Sequence, residues 1–346
     1  MNPHDQSQEI ESYQLSPEEN ERIFRRVIVP IELDPVAVQE QPIAVILLGQ
    51  PGAGKSATAD QVRDVFGTDG FVEVDSDLYK PYHPRYEQVL RLDDKLMAAA
   101  IGPDGRAWMA KVQDYVRAHR LNALVHEIAE DPDRVIATAR SYKDAGYQVA
   151  LLVLAVPEGI SRQGILDRYF TQVEDRGVGR LSVPEKAALS YARIPECAAR
   201  LEGELLADAV AVFRRGFNPA GASYSNERGT SGEWVRPPAI AAAIHAERDR
   251  VTPQELADFT ARQDKLRAVG IPQFSAEIAT IESLVAALSH DSAGPSAHPA
   301  NRAARVFSVQ VADVVRNAAL VAPGAAAATV ESDRQRRDQT PRGRSR

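Results

Sequence analysis

Residues 43–56 read Ile43-Ala44-Val45-Ile46-Leu47-Leu48-Gly49-Gln50-Pro51-Gly52-Ala53-Gly54-Lys55-Ser56. Six apolar residues in a row, with no polar alternation, describe a short strand buried on both faces of a parallel sheet. The run ends in Gly49-x-x-x-x-Gly54-Lys55-Ser56, a complete P-loop pattern. The glycines let the backbone curl so that successive N–H groups point at phosphate oxygens. A helix starting near Lys55 adds the positive end of its dipole. Lys55 reaches the β- and γ-phosphates, and Ser56 offers a hydroxyl to Mg²⁺. Gly49, Gln50, Pro51, Gly52, Ala53, Gly54, Lys55 and Ser56 are therefore the predicted ATP-binding set. Residues 57–66 contain no Gly or Pro and put Val62, Val65 and Phe66 on one helical face. The bland alternative is a glycine-rich turn between strand and helix, and the flanking elements weigh against it.

The 346 residues suffice for one large domain or two smaller ones, and 44% hydrophobic content fills a substantial core. A net charge of −7 does not suit a general nucleic-acid binder. The single cysteine, Cys197, permits no internal disulfide and suits a reducing compartment, where a lone Cys reads as an inert helix residue. No apolar run approaches a membrane span, and the first residues lack the basic and apolar regions of a signal peptide. The expectation is a cytoplasmic protein with no membrane partner.

Along the chain, residues 1–14 are polar and expected to be flexible. Ser16-Pro17-Glu18-Glu19 opens a helix with a capping box and proline in its first turn, and Pro30 is expected to end it. Strands are predicted at 71–75, 124–127, 148–156 and 209–213. Helices are predicted at 85–98, 106–120, 132–145, 157–174, 185–206, 238–249 and 253–268, and more weakly at 273–289 and 302–321. A glycine-containing basic loop covers 175–184, and 216–238 reads as a hairpin or loop. Alternating strands and helices give an α/β fold: a P-loop NTPase-type, doubly wound, mainly parallel sheet with helices on both faces, plus a helical C-terminal extension. The predicted division is 1–14 flexible, 15–235 the P-loop domain, 236–322 the helical extension, and 323–346 a disordered basic tail. Residues 331–346 hold six Arg against three acids, and a solvated tail is the reading favoured over a nucleic-acid or lipid contact.

A phosphoryl-transfer enzyme needs more than a nucleotide cradle. It must take a proton from the acceptor hydroxyl, neutralise charge on the moving group and exclude water. Asp75 and Asp77 stand just past the second strand. Asp77, further out in the loop, is the better general base, and Asp75 is a structural acceptor or a metal-side partner. The competing reading makes both ordinary turn residues. Arg168, on the helix after the fourth strand, and Arg180, in the glycine-containing loop, are candidates for phosphate oxygens, with Arg162 and Arg176 as decoys. Glu127 ends the third strand and suits a substrate hydroxyl, or else a helix cap or an ion pair. Lys80 and His83 are assigned to the substrate side, although a His beside Pro is also common as a structural loop residue.

These stretches, in this order, resemble the zeta toxins, P-loop kinases of bacterial toxin–antitoxin systems. The resemblance covers residues 15–199. It rests on the P-loop with its Gln50-Pro51, on Val74-Asp75-Ser76-Asp77-Leu78-Tyr79-Lys80-Pro81-Tyr82-His83-Pro84, on Gly146-Tyr147-Gln148-Val149, on Leu154-Ala155-Val156-Pro157 and on the helix from Ser161 through Arg168-Tyr169. The resemblance implies transfer of the ATP γ-phosphate to the 3′-hydroxyl of UDP-N-acetylglucosamine, with Asp77 as base, Lys55 and Ser56 on nucleotide and metal, and Arg168 and Arg180 on the phosphates. An antitoxin protein is the implied partner. One departure is plain. After the strand-end glutamate the family carries Gly-Thr-x-Arg, and this chain reads Glu127-Ile128-Ala129-Glu130-Asp131, while another substrate-side glutamate of the family falls near Lys111. Related kinases of this fold act on other nucleotides, NAD among them. A third reading keeps the fold as a non-catalytic nucleotide-binding partner of an antitoxin.

Overall fold

The apolar run at 43–48 forms β1 (Ile43–Leu48), at the heart of a six-stranded sheet. The other strands are β2 (Val72–Val74), β3 (Ala123–Glu127), β4 (Gln148–Leu154), β5 (Ala209–Phe213) and β6 (Tyr224–Glu227). Their order is β2-β3-β1-β4-β5-β6. All neighbours pair in parallel except β5 and β6, which run antiparallel. Residues 10, 12–67, 70–92, 97, 99–179, 181–182, 184–215, 222–291 and 313–316 of this computed structural model are described.

The absence of polar alternation in β1 has a direct cause. Ala44, Ile46 and Leu48 enter one hydrophobic core, and Val45 and Leu47 enter another on the opposite face of the sheet. The helices, in chain order, are α1 (Pro17–Ile23), α2 (Lys55–Phe66), α3 (Ser76–Tyr79), α4 (Tyr86–Leu92), α5 (Gly102–His119), α6 (Pro132–Asp144), α7 (Glu158–Arg176), α8 (Pro184–Gly203), α9 (Ile240–Arg248), α10 (Pro253–Val269) and α11 (Ser275–Asp291). The first core is closed by α1, α5, α6, α8 and α9, through residues such as Trp108, Tyr142, Ile194 and Ile240. The second is closed by α2, α7, α10 and α11, through Val62, Leu166, Phe259 and Ile281. Helices on both faces of a mainly parallel sheet are the architecture the sequence predicts.

Several boundaries differ from the sequence reading. The first helix does not stop at Pro30. It continues in wide π turns from Phe24 to Leu33, and the complete burial of Ile28 and Leu33 offsets the amide that proline lacks. Helix α5 starts at Gly102, earlier than the predicted 106, with Pro103 in its first turn, where an N–H has no intrahelical partner to lose. A Cβ at Gly105 would stand 2.9 Å from the Ser76 carbonyl, so glycine there lets α5 lie close against α3. The 216–238 stretch contains β6, and the predicted elements at 302–321 and 323–346 lie outside the described residues apart from 313–316. The end of the polar start is tied down: Tyr13 is buried with Val89, Met97 and Ile101, and the Leu15 amide donates to Asp104 at 3.1 Å. Cys197 is buried on α8, and burial pushes its thiol up to about 12, which leaves it inert. No helix among the described residues is long and apolar enough to cross a membrane.

Candidate functional site

From β1 the chain crosses to β2, returns through β3, and only then passes to β4 on the other side. That reversal opens a crevice at the C-terminal ends of the strands, the usual ligand position in an open α/β sheet. A cleft of about 830 Å³ occupies it. Its floor is the P-loop. Gly52 has φ +77° and sits so close under α7 that a Cβ there would stand 1.9 Å from the Ser161 carbonyl. Gly54 has φ +98° and turns the chain into α2, which begins at Lys55. The Ala53 amide closes a turn onto the Gln50 carbonyl at 3.1 Å, and the Gly49 amide donates to the Glu127 carbonyl at 3.1 Å.

Lys55 folds its ammonium back onto the Gly49 carbonyl at 2.5 Å. Desolvation pushes its pKa down to about 8. Asp75 opposes the fall, and the nearby Arg168 adds to it. A desolvated cation beside curled backbone amides is an anion site in waiting. Gln50 is buried, its amide donating to the Val156 carbonyl at 2.8 Å. Gly49 lies against Leu154 behind the loop, while residues 50–56 line the cleft.

The two aspartates have separate surroundings. Asp75 ends β2 in extended conformation and caps α3, accepting from the Asp77 amide at 2.9 Å. Asp77 lies two residues further on, in the first turn of α3, half-exposed, with the Lys80 ammonium 2.7 Å from its carboxylate. Both line the cleft, and both reach Lys55 electrostatically. Lys80 is itself buried, so its charge is directed at Asp77. Ser56 and Asp75 are hard oxygen donors on the same wall, the kind that Mg²⁺ takes. Among the described residues no three acidic, His or Cys side chains converge to hold an ion by themselves. The set fits a metal that shares its ligands with nucleotide phosphates and water.

Glu127 is buried at the end of β3, 3.3 Å from the Arg134 guanidinium of α6. Desolvation raises its pKa, Arg134 lowers it, and Asp75 raises it further. Arg168, on α7, reaches the cleft and donates to the Ser182 hydroxyl at 2.9 Å. Its decoy Arg162 is directed away from the cleft, to Glu277 of α11 at 2.6 Å and to Glu158 of its own helix at 3.2 Å. Arg180 lies outside the described residues.

His83 is not brought to the cleft. It is buried against Trp108, its Nδ1 accepts from the Arg85 amide at 3.1 Å, and its Nε2 lies 3.5 Å from Asp104. Asp104 also binds Leu15 and Asn20, so this histidine belongs to the joint between α5 and the N-terminal segment. Lys111 is likewise used there, on Asn20 and Glu21. Asp131 is exposed and caps α6 through the Asp133 amide at 3.1 Å, off the cleft lining.

Sequence reading missed four cleft-lining cations: Arg106 on α5, Arg134 on α6, Lys186 on α8 and Arg215 after β5. Arg215 sits over Gly54 and Gly164, with its guanidinium held by the Ile160 carbonyl at 3.3 Å. The one available signal was the Arg214-Arg215 pair at the end of a strand expected to point at the crevice. It does not separate the two: Arg214 is buried in ion pairs with Glu247 and Glu255, and only Arg215 meets the P-loop.

With this geometry in place, comparison with known proteins is decisive. The family model described as zeta toxin matches residues 32–220, more than half of the chain. The chain belongs to the zeta toxin family. Two curated zeta-toxin relatives are toxin zeta of Streptococcus agalactiae, 27% identical over 149 residues, and toxin PezT of Streptococcus pneumoniae, 27% identical over 130 residues. These alignments cover 43% and 38% of this chain and 51% of each relative, so the chain spans about half the length of the curated relatives it matches. Among solved structures, that of the PezAT chromosomal toxin–antitoxin system of Streptococcus pneumoniae aligns with a TM-score of 0.61 at 18% identity, covering 73% of this chain and 98% of that one. AvrRxo1-ORF1:AvrRxo1-ORF2 with ATP aligns at 0.50 and 15% identity, covering 85% and 95%. At these identities the structural likeness shows that the zeta-toxin fold is shared.

Proposed function

We propose that this zeta-toxin family member is an ATP-dependent kinase that phosphorylates a hydroxyl of a nucleotide sugar, UDP-N-acetylglucosamine at its 3′-position being the family's acceptor. The observation that carries the reading is one cleft holding the P-loop, Asp77 and Arg168 together at the sheet's switch point. ATP in a structure of the same fold supports the choice of donor. In the reaction, the acceptor oxygen bonds to the γ-phosphorus as the bond to the β,γ-bridging oxygen breaks, and ADP leaves. The hydroxyl proton passes to the Asp77 carboxylate. Lys80 keeps that carboxylate oriented, at 2.7 Å. Lys55 and Arg168 neutralise charge on the transferring group, the main task in phosphoryl transfer. Ser56 and Asp75 would hold Mg²⁺ together with the nucleotide, and the ion would supply neutralisation of the phosphate charge. Arg180 takes a phosphate contact in this reading.

The acceptor side is formed by Lys80, Glu127 and the cations Arg106, Arg134 and Lys186. The missing family arginine beyond the strand-end glutamate is offset by Arg134, which reaches Glu127 from the following helix. Asp131, engaged as a helix cap, does not oppose a diphosphate in the cleft. These cations are interleaved with acids, Arg134 with Glu127 and Lys186 with Glu130 at 3.2 Å, so an acceptor phosphate would compete with those carboxylates for them. The same family membership supports an antitoxin as protein partner.

The experiment offers UDP-N-acetylglucosamine, NAD and nucleosides together with limiting ATP and reads products by mass spectrometry. A single added phosphate on UDP-N-acetylglucosamine is the expected result. Phosphate on NAD reassigns the acceptor. ATP that stays intact with every acceptor sinks the kinase reading and leaves the non-catalytic nucleotide-binding alternative.

A further inference from the structure

Among the described residues, one buried arginine belongs to no ion pair and comes from beyond the family-matched segment. Arg248 ends α9, is 3% exposed, and has no carboxylate within 4 Å among the described residues. Its neighbours in sequence and space are treated differently. Arg214 takes Glu247 at 2.7 Å and Glu255 at 2.6 Å, and Arg250 takes Glu247 at 2.6 Å. The hydrogen-bond partners of Arg248 among the described residues are neutral, and Glu158 and Asp249 act on it only from beyond ion-pair distance. Its Nη1 donates to the Tyr191 carbonyl at 2.7 Å, its guanidinium stacks 3.9 Å from the Tyr191 ring centroid, and its Nε has no hydrogen-bond partner among the described residues. Its Nη2 donates at 3.2 Å to the side-chain oxygen of Gln50, inside the P-loop.

Burying a guanidinium without a carboxylate is costly, and burial pushes this one down to about 10. Its place in the last turn of a helix recovers part of that cost. The geometry accounts for the rest as positioning. Gln50 has both ends of its amide engaged, the oxygen by Arg248 and the nitrogen by the Val156 carbonyl at 2.8 Å. A buried chain of hydrogen bonds thus runs from α8 through α9 and the P-loop to the connection that launches α7. The Gln50 carbonyl in turn anchors the P-loop turn at Ala53. We propose that Arg248 is a positioning residue that holds the P-loop in its phosphate-binding shape through Gln50, which makes α9 part of the nucleotide site. The proposal rests on the nucleotide-binding reading above. A loop already held in its binding shape pays less ordering cost when ligand arrives.

The test uses the full chain with Arg248→Met, which keeps the bulk over Tyr191, Arg248→Lys, Gln50→Ala and the Arg248→Met/Gln50→Ala double variant. Mg·ATP affinity is read by calorimetry, and amide exchange across residues 49–54 is read without nucleotide. Arg248→Met is expected to weaken Mg·ATP at least about tenfold, the range of a buried charge-assisted hydrogen bond. It should also speed P-loop exchange, leave the acceptor KM unchanged, and add nothing to Gln50→Ala in the double variant. Arg248→Lys should recover part of the affinity. Unchanged affinity, additive effects, or a protein that no longer folds with Met at 248 overturns the proposal, the last by making the residue structural. Wild-type protein that fails to bind Mg·ATP defeats the kinase reading instead. The exchange comparison then still decides whether Arg248 holds the loop.

Discussion

At the residue scale, Asp75 and Asp77, two positions apart, meet different partners in the cleft. Asp77 pairs with Lys80, while Asp75 caps α3. Asp77→Asn keeps shape but takes no proton, and turnover should fall about 10²–10⁴-fold with Mg·ATP affinity preserved in calorimetry. Asp75→Asn keeps the cap oxygen and should act through the Mg²⁺ dependence of turnover. The reverse pattern swaps the assignments. Lys55 adds a pH dependence. Its ammonium sits at about 8 instead of 10.5, and bound phosphates favour the charged form. Below pH 8 the amine is already protonated, so ATP binding takes up no proton. Above it, binding must protonate the amine, and affinity should fall by up to about tenfold per pH unit. Calorimetry at pH 7 and 9 in buffers of different ionisation enthalpy reads this proton uptake, and a flat profile refutes it. Arg168→Ala should cost turnover by up to about 10³–10⁵ in steady-state assays. Arg162→Ala breaks the tie to Glu277 and should cost about 1 kcal/mol of stability, with turnover intact.

At the element scale α7 is the keystone, pressed between the P-loop and the C-terminal helices. A Cβ at Gly164 would stand 2.6 Å from the Gly52 carbonyl and 3.0 Å from the Arg215 guanidinium. On the opposite contact, a Cβ at Gly159 would stand 2.7 Å from Val285 and 3.0 Å from the Ile281 carbonyl. Overpacking of this kind costs about 1–3 kcal/mol, yet the two positions should report differently. Gly164→Ala should push α7 off the P-loop and weaken nucleotide binding. Gly159→Ala should loosen α11 and lower the denaturation midpoint while nucleotide binding survives. Equal effects of both on nucleotide affinity mean that α7 moves as one rigid piece.

At the scale of the whole molecule, α10 and α11 complete the second core. Gln163 on α7 is buried against them, donating to the Phe259 carbonyl at 2.9 Å and to Gln263 at 2.8 Å. Ile281 and Val285 are buried in the same cluster as β1 residues. Removing residues 271–346 takes away α11 and should cost about 1.5–3 kcal/mol for each such side chain. Urea denaturation of the shortened chain measures it. An unchanged midpoint makes α11 an appendage, in keeping with a domain boundary near 235.

The sequence by itself determined the strand–loop–helix of the P-loop, the mainly parallel sheet, and the family, because these depend on local patterns: an apolar run, glycines at fixed spacing, carboxylates at strand ends. It also put Asp75, Asp77 and Glu127 at one edge, since a parallel sheet brings every strand's C-terminal end to the same side, and Arg168 lines the same cleft from α7. Only the tertiary structure decided which cations face the cleft. Arg134 and Arg215, which line it, and Arg248, buried behind the P-loop, have no local signature that separates them from Arg140, Arg214 and Arg250, because a guanidinium's partner is set by which helix packs opposite it. For the same reason His83, beside its proline in a family-like stretch, is buried with Asp104, a residue 21 positions away that only the packing of α5 brings to it.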